Sequence, residues 1–163
     1  MEKLIETLNH YELITCLIPG LMFCQFTDWL YGTGFITDNS VTLIISGYVF
    51  GQVISRLGSL VVEPVCKKLK IIIMAPYHDW LEAIKADDKI STITEKSTVY
   101  RSWVALVLIH IFMPCVINLN ECVLVFGYQK LLIIQLFILT FFLLAYRKQV
   151  AYVRKRVQKI VPR

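Results

Sequence analysis

Arg56 stands inside a largely apolar stretch, 41–65, and shares it with Gln52, Ser59 and Glu63 at spacings of four, three and four. On a regular helix these four residues fall near one face. In water that would be an ordinary solvated stripe. In hydrocarbon an arginine at mid-helix costs about 2.5–3.5 kcal/mol, so an interior, a wet cavity or a lipid phosphate must receive it. Counted from the membrane boundary at the basic ends of the stretches, Arg56 lies ~13 Å deep, His110 ~10 Å, Gln135 ~16 Å, and Gln25 and Gln52 roughly 18–20 Å. With Glu63 they are expected to make an intramembrane polar layer. Glu63 is the best counter-charge for Arg56 within the span. Three chemistries suit such a layer: a buried hydrogen-bonded cluster, snorkelling of Arg56 to headgroup phosphates, or a path for ions or protons.

Covalent chemistry has no comparable pattern. No nucleophile elbow, Walker loop or zincin helix occurs, and the spans lack the paired Asp, Ser/His or His/Glu sets of intramembrane proteases. His78-Asp79 has no second ligand pair at workable spacing, and the five cysteines form no CxxC or His-paired array. The chain is therefore not expected to be an enzyme, nor to need a metal or cofactor. Cys16, Cys24 and Cys115 fall within apolar stretches, Cys66 at a boundary and Cys122 in a connection, so no disulfide framework is expected.

The elements that must position these residues are four apolar stretches, at 13–31, 41–65, 103–119 and 131–146. About 20 helical residues cross a bilayer core, so each is read as a span. The mean hydropathy of +0.61 fits a polytopic helical protein. Of the 17 Lys and Arg, 15 precede the first stretch, lie between the second and third, or follow the fourth; Arg56 is within a span and Lys130 in a connection. The positive-inside rule then puts both termini, the 66–101 loop and the 147–163 tail in the cytoplasm. The expected fold is all-α: one polytopic membrane domain of four transmembrane helices, an amphipathic loop helix and a basic C-terminal helix. The net charge of +5 is explained by this asymmetry, so nucleic-acid binding is not expected.

Finer features follow. Residues 1–12 suit an interfacial helix. Pro19-Gly20 and Pro114 are expected to bend their spans. Residues 37–40 offer a cap for the second helix. Gly47, Gly51, Ser55 and Ser59 form a small-xxx-small ladder for close helix packing, within the bundle or between copies. Residues 77–95, opened by Pro76, read as an amphipathic helix on the inner leaflet or against a partner. Lys67, Lys68, Lys70, Trp80, Arg154, Lys155 and Arg156 are the candidate contacts to anionic lipid or a cytosolic protein.

The run 51–64, GQVISRLGSLVVEP, followed by Pro76-Tyr77, Asp87-Asp88-Lys89-Ile90 and Tyr100-Arg101, resembles small bacterial membrane proteins encoded with antiphage systems. These are the membrane subunit of Kiwa-type systems and the membrane effectors linked to retrons or cyclic nucleotides. The resemblance covers about 47–101 and shares Arg56, Gly58, Ser59, Glu63 and Pro64 as motif positions without chemical roles. It implies a multi-pass inner-membrane protein that senses infection or disturbs the membrane with a cytosolic partner. The resulting expectation is a non-enzymatic, homo-oligomeric component of a defence system. A small channel or transporter with its polar layer around Arg56 and His110, and a purely structural anchor, are the alternatives.

Overall fold

A computed structural model describes residues 13–34, 39–117 and 126–161, which form helices joined by short turns, with no strand among them. A π-helical turn, Leu13–Leu17, leads into α1 (Ile18–Tyr31). Helix α2 (Ser40–Leu57) continues through a π-helical segment, Gly58–Val62, into α3 (Glu63–Lys68). Then come α4 (Tyr77–Ala86), α5 (Lys89–Ile117) and α6 (Phe126–Ile160). Three stretches are long and apolar enough to cross a membrane: Leu13–Leu30, Ser40–Lys68 and Lys130–Ile160. The stretch 103–119 is not among those three; it is the end of α5 as far as Ile117, and its last two residues lie outside the described ones. So do the proposed interfacial helix at 1–12, residues 35–38 and Cys122.

Local chemistry explains most helix ends. Asn39 caps α2, its Oδ1 accepting from Val41 N–H at 3.1 Å. Gly32 closes α1 at φ 60°, its N–H donating to the Asp28 carbonyl at 2.8 Å. Pro19 sits in the first turn of α1, directly after the π-helical turn. At the end of α3, Ile71 N–H bonds the Cys66 carbonyl at 2.9 Å and Lys70 N–H the Lys67 carbonyl at 3.0 Å. This is a Schellman closure, with Lys70 at φ 56° where glycine is usual. A side chain there costs about 1–2 kcal/mol.

The amphipathic helix expected over 77–95 is two elements. Asp87 is extended, and its Oδ1 accepts from Lys89 N–H at 3.1 Å, so it caps α5 instead of continuing α4. Aspartate bonds its own backbone better outside a helix than within one. Residues from 89 onward therefore belong to the same helix as the third apolar stretch.

Packing begins at a glycine contact. Gly47 and Gly51 both face the first span, and a Cβ on Gly51 would overlap the Cys16 carbonyl. A Cβ on Gly20 would overlap the carbonyl of Gly47. The ladder thus serves an intrachain contact, and it stops early: Ser55 is half-buried and Ser59 exposed. Gly58, off the four-residue spacing, takes over against Arg101 and Ala105 of α5. Helices α5 and α6 run together, with Trp103 and Phe142 stacked at 5.4 Å. The main core gathers Phe23, Cys24, Ile54, Val104, Leu106 and Tyr146. Cys16, Cys24 and Cys66 are buried and take part in no disulfide among the described residues.

Beyond this core α5 and α6 continue, and α4 seals their ends into a terminal platform. Ala83, Ile90 and Val157 are buried there, with Trp80, Ile84 and Val153 packed around them. Each buried Ile or Val contributes about 1.5–3 kcal/mol. Trp80, expected on a leaflet or partner, instead turns inward; its Nε1–H donates to Thr94 Oγ1 at 3.3 Å. Arg156 is likewise engaged within the chain, with Nε donating to Asp87 Oδ2 at 2.8 Å and a second nitrogen 2.6 Å from it. That hydrogen bond holds the Asp87 carboxyl below its ordinary pKa, aided by the Lys89 N–H. A lowered native pKa stabilises the platform above the unfolded value of about 3.9, and the contribution is lost as pH falls through the native value. With Trp29 and Trp103 replaced by Phe, Trp80 emission should shift to the red below about pH 4, and Asp87→Asn should abolish that step. An unchanged step in Asp87→Asn would assign the transition to another carboxylate.

Candidate functional site

The six residues expected to form one polar layer do not converge within the chain. Gln25 and Arg56 are exposed. Arg56 lies beside Val49, Val53, Leu57 and Leu60 on the outer face of α2 and its continuation, and makes no ion pair among the described residues. Gln52 donates from Nε2 to the Tyr48 hydroxyl at 3.1 Å, one turn away. His110 is buried; its Nδ1 donates to the Leu106 carbonyl at 3.0 Å, and Phe23 and Phe26 meet its ring edge-on. Only His110 and Gln135 come together, on the wall of an apolar cavity of about 320 Å³ between α1, α5 and α6.

Glu63 does have buried cationic company, but not Arg56. The π-helical segment Gly58–Val62 lies between the two. A π-turn inserts one extra residue, rotating everything after it by roughly 100° relative to a regular helix. Glu63 therefore turns toward α5. Its Oε1 lies 2.7 Å from Lys67 Nζ one turn on, and its Oε2 accepts from Arg101 Nη1. The buried Tyr146 of α6 lies close enough to Glu63 and Arg101 to feel both charges. The side chains of Glu63 and Arg101 are only 19% and 15% exposed, whereas Lys67 is 46% exposed.

This junction ties α3 to α5, beside Tyr146 of α6, where the bundle meets the platform. Glu63 and Lys67 also form one wall of a cavity of about 450 Å³, whose other side is Tyr77 and Trp80 of α4 and Thr94 and Ser97 of α5. A carboxylate held by two cations is an electrostatic clamp. It presents no nucleophile paired with a base. Among the described residues no group of three His, Cys, Asp or Glu is placed to hold a metal ion. His78 is exposed, 3.8 Å from Asp79.

Arg101 and Tyr146 escaped the sequence reading because each stands at the end of an apolar stretch, where Arg and Tyr ordinarily mark the interface. Gly20 escaped as a packing residue because the adjoining proline suggested a bend. The remaining contact candidates lie at the same end of the molecule: Lys68, Lys70 and Lys155 are exposed and Arg154 is half-buried. No protein family, curated protein or solved structure matches the chain.

Proposed function

We propose that this is a non-enzymatic inner-membrane protein that couples the state of the bilayer to a cytosolic partner, in the setting of bacterial antiphage defence. In this reading there are four spans, both termini are cytoplasmic, and the chain acts as a homo-oligomer. The observation that carries it is continuity: α5 and α6 pass unbroken from the apolar bundle into the polar platform, with the Glu63–Arg101 clamp at the crossing. A tilt of the bundle is thereby transmitted to α4, whose outer face presents Tyr77 and Leu81. The defence setting comes from the resemblance over 47–101. Conduction is favoured less, because the polar residues of the spans are dispersed over different faces.

The test has two parts. Cysteine labelling at positions 36, 85, 125 and 163 in intact cells reads orientation; all but 36 and 125 should be protected, and labelling of 85 from outside overturns the arrangement. Phage challenge of cells carrying the gene with its genomic neighbours reads function. Asp87→Arg should abolish protection while insertion persists, and Arg156→Asp in the same chain should restore it. Absence of protection in every neighbourhood tested would overturn the defence reading.

A further inference from the structure

Four cations from two segments distant in sequence surround one concavity of about 240 Å³: Lys70 from the turn after α3, and Arg147, Arg154 and Lys155 from one face of α6. No carboxylate lines it, and none of the four makes an ion pair among the described residues. Asp87, near Lys155 on the far side of α6, is already held by Arg156. Four like charges around so small a space repel one another, and an anion between them removes that repulsion. The remaining wall is Ile71, Ile72, Ile73, Ala151 and Gln158, of which Ile73 is 57% exposed. The position is also specific. Arg147 directly follows the apolar run 131–146 of α6, and Lys70 stands two residues past Lys68, so in the orientation proposed above both lie where two apolar helices leave the bilayer on the same side.

We propose that this concavity binds the phosphodiester headgroup of an anionic phospholipid, with guanidinium and ammonium groups on the phosphate and the isoleucines along the first methylenes of the lipid. Arginine suits this role because its planar fork can donate two parallel bonds to phosphate oxygens. Lys70 adds an independent sign. It occupies, at φ 56°, the left-handed closing position that glycine would occupy without strain, so its side chain is retained against a backbone preference. Basic pockets at the cytoplasmic ends of spans are a known route to headgroup recognition. The inference rests on the membrane orientation proposed above and makes one particular lipid contact of it.

The experiment is native mass spectrometry of the full chain released from nanodiscs of phosphatidylcholine doped with phosphatidylglycerol. The wild type should retain phosphatidylglycerol in preference to phosphatidylcholine. Arg147→Gln, Arg154→Gln and Lys155→Gln together should lower retention at least about tenfold. Lys85→Gln, Lys96→Gln and Lys148→Gln together remove the same charge elsewhere and should leave retention nearly unchanged. Lys70→Gly should lower retention while the thermal midpoint stays equal or rises, which separates lost binding from lost folding. Equal losses in the two triple variants, or none in the first, would overturn the site. Displacement of the lipid by millimolar inorganic phosphate would assign the concavity to soluble phosphate and overturn the lipid proposal. Carbonate extraction of the wild type keeps the outcomes distinct: an extractable chain refutes the membrane reading, whereas an inserted chain without selective retention refutes only this pocket.

Discussion

Glu63→Leu should destabilise the folded bundle by about 3–5 kcal/mol, the usual cost of leaving a buried charge without its partner. Here the orphaned charge is chiefly that of Arg101, whose side chain is 15% exposed, since Lys67 is 46% exposed. Arg101→Leu should cost less, because Glu63 keeps Lys67 at 2.7 Å. The double variant Glu63→Leu, Arg101→Leu should recover a large part of the loss, since an apolar pair of similar volume avoids desolvating either charge. Unfolding in mixed micelles, read as a double-mutant cycle, measures the coupling. Strict additivity would mean that the two side chains do not interact. Arg56→Leu in the same assay should change stability little, because Arg56 lies on the outer face. A loss of phage protection by Arg56→Leu with stability intact would assign it to lipid or to a neighbouring copy.

Gly51→Leu and Gly20→Leu should be as damaging for a different reason. Overpacking a core ordinarily costs about 1–3 kcal/mol because side chains can shift. At these two positions the obstruction is backbone, the Cys16 and Gly47 carbonyls, which cannot move without parting α1 from α2. Gly47→Ala should be milder, since its nearest obstacle is the Leu21 Cδ2 at 2.6 Å, the end of a side chain with other rotamers. Thermal midpoints in detergent should fall in that order. Mass measurements on the same samples decide the ladder's role: a changed oligomer with an unchanged midpoint would place it between copies instead.

Much of the architecture was legible because hydrocarbon imposes a coarse and strong rule. Uninterrupted runs such as 131–146 cannot be surface helices in water, and Asn39, Pro76 and Gly32 mark helix ends by their local bonding. The sequence also pointed to the 51–64 run as the unusual segment, and to Glu63 within it. It misassigned the partner. A strict 3.6-residue count carries Arg56 onto the same face as Glu63, and nothing in Gly58–Val62 announces the π-helical segment that adds a residue between them.

Composition and periodicity by themselves determine that this chain is helical, apolar enough to enter a membrane, and basic at one set of helix ends, because those properties depend only on residues near in sequence. Tertiary structure alone decided which charges meet. Arg101 reaches Glu63 across 38 residues, Arg156 reaches Asp87 across 69, and Lys70 joins Arg147 and Arg154 around one concavity. Each of those meetings depends on helix rotation and on where α5 and α6 project past the bundle. A single residue of helical phase is enough to exchange an exposed arginine for a half-buried clamp, which is why the site emerged only with the fold.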